Sequence, residues 1–175
     1  MREAGYVFEV ASFEVEEAYD PSLTCEALTM ENARRKAVEG ARRHLDALVI
    51  GADTLVYIDG HPLSKPADMA EARAMLHRLS GRTHQVCTGV ALASNGGADV
   101  TTFATITDVT FKTLNDAAIS SYHDLVQVLD KAGGYAVQEH GDLIVERVEG
   151  SMSNVIGLPM EALAEHLGHV QTEPC

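Results

Sequence analysis

Aromatic side chains are scarce in this 175-residue chain, which has no tryptophan and only 5% Phe, Trp and Tyr combined. Hydrophobic residues still make up 46% of the sequence, so a core must be built mainly from Ala, Val, Leu and Ile. A chain of this length corresponds to one domain, which buries ~70% of the surface that the unfolded chain exposes. We therefore expect a single domain over residues 1–175, with a loose tail over residues 168–175.

Positive charge is also scarce, since 13 Lys and Arg face 26 Asp and Glu, giving a formal net charge of -13. Such a balance argues against binding to a nucleic-acid backbone or to an anionic membrane surface. It does not exclude a small polyanionic substrate, because a local cation cluster or a bound divalent metal can reverse the field inside one cleft.

The cysteines are few and widely spaced: Cys25, Cys87 and Cys175 form no C-x-x-C pair and have no histidines at zinc spacing. The sequence contains no secretory signal and no apolar run of about 18 residues, the length that a membrane span requires. We therefore expect a reduced, cytoplasmic setting in which the cysteines are small buried apolar side chains or exposed thiols.

The most informative stretch is LVIGADTLVYIDGHPLSKP, residues 48–66. Its opening apolar run predicts a buried strand that ends near Asp53, placing a carboxylate at the strand end. A second short strand over residues 55–58 then turns at Asp59-Gly60, a strong hairpin signal. Lys65 follows on a loop that the next proline holds extended. An acid at a strand end followed by a lysine on a stiff loop suits a metal-phosphate substrate.

The remaining pattern predicts a mixed α/β domain. Alternation predicts a strand at residues 6–10, and an acidic run over residues 13–17 follows it. Helical periodicity begins at Thr29, a plausible N-cap, and continues to Leu45. Further predicted helices cover residues 68–79, 115–125 and 159–167; predicted strands cover 85–93, 100–111 and 143–148; and a glycine-bearing loop over 129–138 leads into a short strand.

Taken singly, the candidate residues have ordinary structural explanations. An acidic run is typically a solvated loop, an aspartate at a strand end is commonly a turn former, and a lysine before proline is commonly solvent-facing. In combination, however, LVIGADTLVYIDGHPLSKP, EARAMLHRLSGRTHQVCTGVAL, DKAGGYAVQ and SNVIGLP resemble the Maf family of nucleoside triphosphate pyrophosphatases. The resemblance extends over nearly the whole chain and implies an α/β fold with a single mixed-sheet domain of the Maf or inosine-triphosphatase-like type.

The resemblance also implies a reaction. A nucleoside triphosphate is hydrolysed between its α- and β-phosphates to the monophosphate and pyrophosphate, with a divalent metal, Mg or Mn. Asp53 matches the acid of the GADT motif and would be the general base and a metal ligand. Glu17 would be the second metal-site carboxylate, while Lys36 and Lys65 would hold the triphosphate.

Two further residues fall on positions that the resemblance links to nucleobase selection, Thr54 and Gln138. A glutamine amide offers both a donor and an acceptor, which can match the imide edge of a pyrimidine. The DKAGGYAVQ form resembles the branch that acts on dTTP and UTP, with modified pyrimidine nucleotides as further candidates. A homodimer is implied by the resemblance alone.

Two departures from the family pattern bear on activity. The loop lysine follows Ser64 where the family has glycine, and the sequence opens at Met1 without the strand and Ser-x-Ser-Pro-Arg-Arg loop that normally precede the first helix. We therefore expect an N-terminally truncated form of the fold. The alternative function is a catalytically impaired, Maf-like nucleotide-binding or regulatory protein. An aspartyl-phosphate phosphatase is excluded, because its second Asp would stand where this chain has Leu55.

Overall fold

The computed structural model describes residues 1–20 and 22–170 and has the expected α/β class. The helices are α1 (Cys25–Arg43), α2 (Met69–Leu79), α3 (Asp116–His123), α4 (Met152–Ile156) and α5 (Met160–Val170). The strands are β1 (Val49–Ile58), β2 (His61–Leu63), β3 (Thr83–Ser94), β4 (Asp99–Phe111) and β5 (Val145–Glu149). None of the described helices is both long enough and apolar enough to span a membrane.

The strands form one five-stranded sheet in the order β2-β1-β3-β4-β5. The predicted turn at Asp59-Gly60 joins β1 to β2, which pair antiparallel with Val56 opposite Leu63. At the other side of the sheet, β5 pairs antiparallel with β4 and places Val148 opposite Val109. The predicted hairpin turn is therefore confirmed, and β2 lies at one edge of the sheet.

The chain divides into two compact units. The first unit contains Met1–Asp53, Gly89–Ala104 and, from Met160 on, α5. Its buried core consists of small side chains: Ala33, Ala37, Ala41, Ala91 and Ala93, with Val49 packed against them. This core lets α1 approach β1 closely, because a Cβ added at Gly51 would lie 2.4 Å from the Ala33 carbonyl oxygen. The scarcity of large side chains thus sets how near the helix lies to the strand.

The second unit contains Thr54–Thr88 and Thr105–Pro159 and has a larger apolar core. Its fully buried members include Leu76, Leu79, Phe111, Ile119, Tyr122 and Ile144. The buried α2 side chains recur at helical spacing, and Asp68 caps the helix by accepting from the Glu71 amide. The helix predicted over residues 68–79 is therefore confirmed.

Several predicted boundaries are wrong. Residues 6–10 form no strand: Val7 and Val10 are 102% and 82% exposed, so the alternation has no apolar surface to cover. The first helix begins at Cys25, because Thr24 is the cap and accepts from the Ala27 amide. Thr29 is instead buried inside α1, where its hydroxyl donates to the Cys25 carbonyl.

The central stretch also differs from its predicted form. β1 runs without a break through residues 49–58, so Asp53 lies within a strand rather than at a strand end. The short strand expected after the glycine loop does not form at residues 135–138. In the predicted tail, residues 168–170 belong to α5, and residues 171–175 lie outside the described part of the chain.

Candidate active site

The first unit brings three of the predicted site residues together around one ammonium group. Lys36, on α1, lies 2.7 Å from the Asp53 Oδ1 atom and 2.8 Å from the Glu17 Oε1 atom. Asp53 comes from β1, and Glu17 comes from the irregular segment that precedes α1. Two carboxylates from different parts of the chain therefore converge on the same point.

The three groups differ strongly in exposure. The Asp53 side chain is only 8% exposed, that of Lys36 is 31% exposed and that of Glu17 is 56% exposed. A buried carboxylate is costly unless it is paired and hydrogen-bonded, and Lys36 supplies the pairing charge. Asp53 is thus held desolvated on one side, with Glu17 on the solvent side of the shared ammonium.

The charge of Lys36 is fixed by these partners. Burial alone lowers the pKa of the ammonium, but hydrogen bonds to Asp53 and Glu17 outweigh that effect and raise the pKa above its usual range. The side chain therefore remains protonated at neutral pH and can act as a fixed positive charge.

Asn32 is a member of this cluster that the sequence reasoning missed. Its amide nitrogen donates to the Asp53 Oδ2 atom at 3.2 Å, and its Oδ1 atom accepts from the Ala18 backbone amide at 2.7 Å. One buried amide therefore fixes the Asp53 carboxylate and the residue next to Glu17 at the same time. The available signal was spacing, because Asn32 precedes Lys36 by four residues and so shares its helix face.

Arg35 ties the acidic segment to α1 from the other side of Glu17. Its guanidinium donates to the Glu16 carbonyl oxygen at 3.1 Å and also binds Glu31. Hydrogen bonds from Arg34 and Arg35 lower the pKa of Glu31 to about 2, so this pairing persists through the neutral range. Glu17 is therefore flanked by two attachments to the helix that carries Lys36.

Thr54, in the second unit, belongs to a chain of hydroxyl groups. Its Oγ1 atom lies 2.9 Å from that of Thr88, and the Thr88 hydroxyl donates to the Asn154 backbone carbonyl at 3.2 Å. Thr88 and Asn154 are fully buried, whereas Thr54 is partly exposed. These hydrogen bonds connect Thr54 to Asn154 in the SNVIGLP segment, a connection that the sequence does not indicate.

Lys65 and Gln138 are both exposed and lie on two loops of the second unit. The loops are joined because the Gly133 amide donates to the Ser64 carbonyl oxygen at 3.1 Å. The glycine loop is also anchored from below, where the Tyr122 hydroxyl both donates to the Ala136 carbonyl and accepts from its amide, each at 2.9 Å. Fixed backbone therefore supports two side chains that remain free to meet a ligand.

Tyr135, in the same glycine loop, is buried against a histidine. The Tyr135 hydroxyl lies 2.8 Å from the His84 Nε2 atom, and both rings pack edge-to-face with Phe111. Burial lowers the pKa of His84 to about 4, so the imidazole is neutral at physiological pH. His84 is therefore part of the buried packing that supports this loop.

The oxygen donors of the first unit fit a hard divalent cation. Glu17 and Asp53 each have an oxygen within 2.8 Å of the same cationic nitrogen, so both can face one ion. Mg²⁺ is usually held by one or two carboxylates, with substrate phosphates and waters completing the coordination. Among residues 1–20 and 22–170, no group of three or more His, Cys, Asp or Glu has metal-binding geometry. The two carboxylates are therefore the residues here that would hold such an ion.

Comparison with known proteins gives a consistent picture. A family profile described as "Maf-like protein" matches residues 1–170. A dTTP/UTP pyrophosphatase of Akkermansia muciniphila is 47% identical over 160 residues, covering 91% of this chain and 84% of the relative. A dTTP/UTP pyrophosphatase of Myxococcus xanthus is 45% identical over 164 residues, covering 92% and 82%. One from Shouchella clausii is 40% identical over 167 residues, covering 95% and 86%.

Proposed function

The chain belongs to the Maf family, and on that premise we propose that it is a nucleoside triphosphate pyrophosphatase acting on dTTP and UTP. Water is added across the bond between the α- and β-phosphates, which yields the monophosphate and pyrophosphate. The observation that carries this proposal is the buried Asp53 carboxylate, paired with Lys36 and facing the same point as Glu17. The cluster of Asp53, Lys36 and Glu17 supplies a base, a fixed cation and two carboxylate groups that can bind a metal.

Within this proposal, Asp53 accepts a proton from the attacking water, and Asn32 keeps its carboxylate oriented. Asp53 and Glu17 would hold a divalent metal, Mg or Mn, which when bound neutralises phosphate oxygens and makes a bound water more acidic. Lys36 and Lys65 contribute positive charge where the negative charge of the triphosphate accumulates.

Base selection is proposed for Thr54 and Gln138. Thr54 has a hydroxyl at the partly exposed end of a buried hydrogen-bond chain, and Gln138 has an exposed amide on an anchored loop. Both are side chains that can bind the polar edge of a base. The names of the three relatives support thymine and uracil as the bases concerned.

The test is release of pyrophosphate by the purified protein with Mg²⁺ or Mn²⁺, using dTTP, UTP, dCTP, CTP, ATP and GTP separately. We expect dTTP and UTP to be the best substrates and a chelator to stop the reaction. A folded protein that binds these nucleotides but releases no pyrophosphate would instead be a catalytically impaired nucleotide-binding or regulatory member of the family.

A cytoplasmic location and a homodimer complete the proposal. The nucleotide substrates of the relatives support the first, and family membership supports the second. Sedimentation of the purified protein gives the assembly state directly: the chain mass is 18.8 kDa, so a dimer would have twice that mass.

A further inference from the structure

The direction of the hydrogen bonds at Thr54 can be deduced from the partners of Thr88. The buried Thr88 Oγ1 atom lies 3.2 Å from the Asn154 carbonyl oxygen and 2.9 Å from the Thr54 Oγ1 atom. A carbonyl oxygen can only accept, and the Asn154 carbonyl also accepts from the Gly157 amide at 2.9 Å. Both Thr88 contacts are hydrogen bonds when the single hydroxyl proton of Thr88 is given to Asn154. The Thr54 hydroxyl must then donate its own proton to Thr88, and its lone pairs are left to accept from a ligand.

Asn154 is itself held rigidly, so this direction is built into the fold. Its side-chain amide nitrogen donates to the Val86 carbonyl at 3.0 Å and to the Thr107 hydroxyl at 2.9 Å. Its backbone amide is bound by the Ser151 hydroxyl, which caps α4. The carbonyl that accepts from Thr88 therefore has a fixed position, and the hydrogen bond to it holds the Thr88 hydroxyl in one orientation.

The Thr54 hydroxyl lies beside a residue without a side chain, Gly157. A Cβ built on Gly157 would lie 3.5 Å from the Thr54 Oγ1 atom, and the backbone there has a φ of +112°, which favours glycine. Residue 157 therefore places no side-chain atom against the hydroxyl, and Thr54 as a whole is partly exposed.

Resting on the proposed function, we propose that Thr88 and the Asn154 carbonyl hold the Thr54 hydroxyl as an obligate acceptor that selects bases with a ring N–H. Thymine and uracil carry such a donor on the ring nitrogen of their imide edge. Cytosine carries a lone pair on that ring nitrogen, so it would face the lone pairs of Thr54. Thr88 and Asn154 act through Thr54 and are positioning residues.

Gln138 cannot supply this discrimination by itself. Its exposed amide has a donor end and an acceptor end, and rotation by half a turn exchanges them. It can therefore match the exocyclic groups of thymine, uracil or cytosine equally well. The Thr54 hydroxyl, by contrast, donates its proton to Thr88 and can only accept a hydrogen bond from the base. Cytosine has no proton on the facing ring nitrogen and is therefore disfavoured.

The test compares kcat/KM for dTTP with kcat/KM for dCTP, together with the equilibrium affinities for both nucleotides. Thr88→Val keeps the side-chain shape but removes the acceptor, which frees the Thr54 proton to turn toward the base. We expect the preference for dTTP over dCTP to fall by roughly tenfold, about the factor that one hydrogen bond supplies, mainly because dCTP improves. Thr88→Ser retains the hydroxyl and should keep the original preference.

Thr83→Val is the matched control, because Thr83 lies on the same strand and makes an equivalent 2.9 Å hydroxyl pair with Thr110. It should leave the preference unchanged. Thr54→Val supplies a second test at a partly exposed position, and it should weaken dTTP much more than dCTP.

Two results would overturn the inference: an unchanged preference in folded Thr88→Val, or equal losses for both nucleotides in Thr54→Val. Absence of pyrophosphate release from the unmodified protein would contradict the proposed function instead. The affinity ratios for dTTP and dCTP would still decide the role of Thr88 in that case.

Discussion

At the scale of single residues, the cluster around Lys36 depends on a balance of buried charge. Asp53 is 8% exposed, and its nearest cation is the Lys36 ammonium at 2.7 Å. Removing one member of such a pair leaves an uncompensated charge, whereas removing both leaves none. The coupling between Lys36 and Asp53 can therefore be measured by comparing the free energies of unfolding of the single and double variants.

We predict that Lys36→Met lowers the free energy of unfolding by about 2–3 kcal/mol, because Asp53 then stays buried without its partner. The double variant Lys36→Met/Asp53→Asn should recover at least half of that loss. Urea unfolding of the four proteins in the cycle measures the coupling. Additive losses would mean that the two side chains do not interact in the folded protein. Arg147→Met, at an exposed ion pair with Glu149, is the control and should cost at most ~0.5 kcal/mol.

His84 gives a second prediction at this scale, concerning pH. Burial lowers its pKa in the folded protein to about 4, whereas the unfolded chain has the ordinary value of 6.5. Between these values the unfolded state binds a proton that the folded state does not, so stability falls as pH falls from 6.5 to 4. The slope is about 1.4 kcal/mol per pH unit, or about 3 kcal/mol in all.

His84→Phe keeps an aromatic ring next to Phe111 and Tyr135 but has no group that titrates. Its free energy of unfolding should lose this component of the pH dependence while it keeps the part due to other groups. Urea unfolding at pH 7, 6, 5 and 4.5 gives the comparison. Parallel curves for the variant and the unmodified protein would place the imidazole in solvent in the folded state.

Residue identities near the cluster were predictable only in part. Asp53, Lys36 and Glu17 were proposed together because they match positions of a known family, and the structure brings these three side chains into contact. Asn32 was missed because its partners, Ala18 and Asp53, lie far away in sequence. In the second unit, the contact of Thr88 with Asn154 was missed because these two residues are likewise distant in sequence. A local pattern carries no information about such contacts.

At the scale of elements, α1 and β1 depend on a close approach. A Cβ at Gly51 would meet backbone atoms of α1, the Ala33 carbonyl oxygen at 2.4 Å and the Ala37 amide nitrogen at 2.7 Å. Backbone at these distances cannot move aside without shifting the helix that carries Lys36. Packing in this unit is therefore set by absent side-chain volume as much as by apolar contacts.

We predict that Gly51→Ala lowers the free energy of unfolding by about 1–3 kcal/mol, the range for overpacking in a dense core. It should also reduce kcat, because α1 must move away from the strand that carries Asp53. Gly168→Ala is the matched control, since nothing lies within 4 Å of the added Cβ and the residue is helical. The Gly168→Ala variant should be as stable as the unmodified protein or slightly more stable. A melting temperature of Gly51→Ala that is no lower than that of Gly168→Ala would contradict the prediction.

Element types were predicted well where periodicity was strong and poorly where pairing decided the outcome. The α2 helix and the β1–β2 hairpin followed their sequence signals, since caps and turns are local. The predicted strand at residues 6–10 failed, because an extended segment becomes a strand only when another strand provides hydrogen bonds. Asp53 was wrongly placed at a strand end, because the polar residues Asp53 and Thr54 interrupt the apolar run. Residues 56–58 are buried beyond them, and β1 continues to Ile58.

At the scale of the whole molecule, the strongly acidic composition contrasts with the proposed polyanionic substrate. The net charge is -13, and the proposed site has two carboxylates. On the proposed function, binding of a triphosphate would depend on the cations Lys36 and Lys65, and on a divalent metal that would offset the charge of Glu17 and Asp53. Composition argues against broad classes of partner, whereas the proposed chemistry depends on a few charges whose positions composition does not reveal.

The most direct test of the account is pyrophosphate release from dTTP by Asp53→Asn compared with the unmodified protein, at saturating Mg²⁺. Asn keeps the size of the side chain and can still accept a hydrogen bond from Asn32, so the variant should remain folded by circular dichroism. Loss of a general base typically costs 10²–10⁴-fold, and we predict a fall in kcat of roughly that size. Pyrophosphate release within about twofold of the unmodified protein would contradict the assignment of Asp53 as the base.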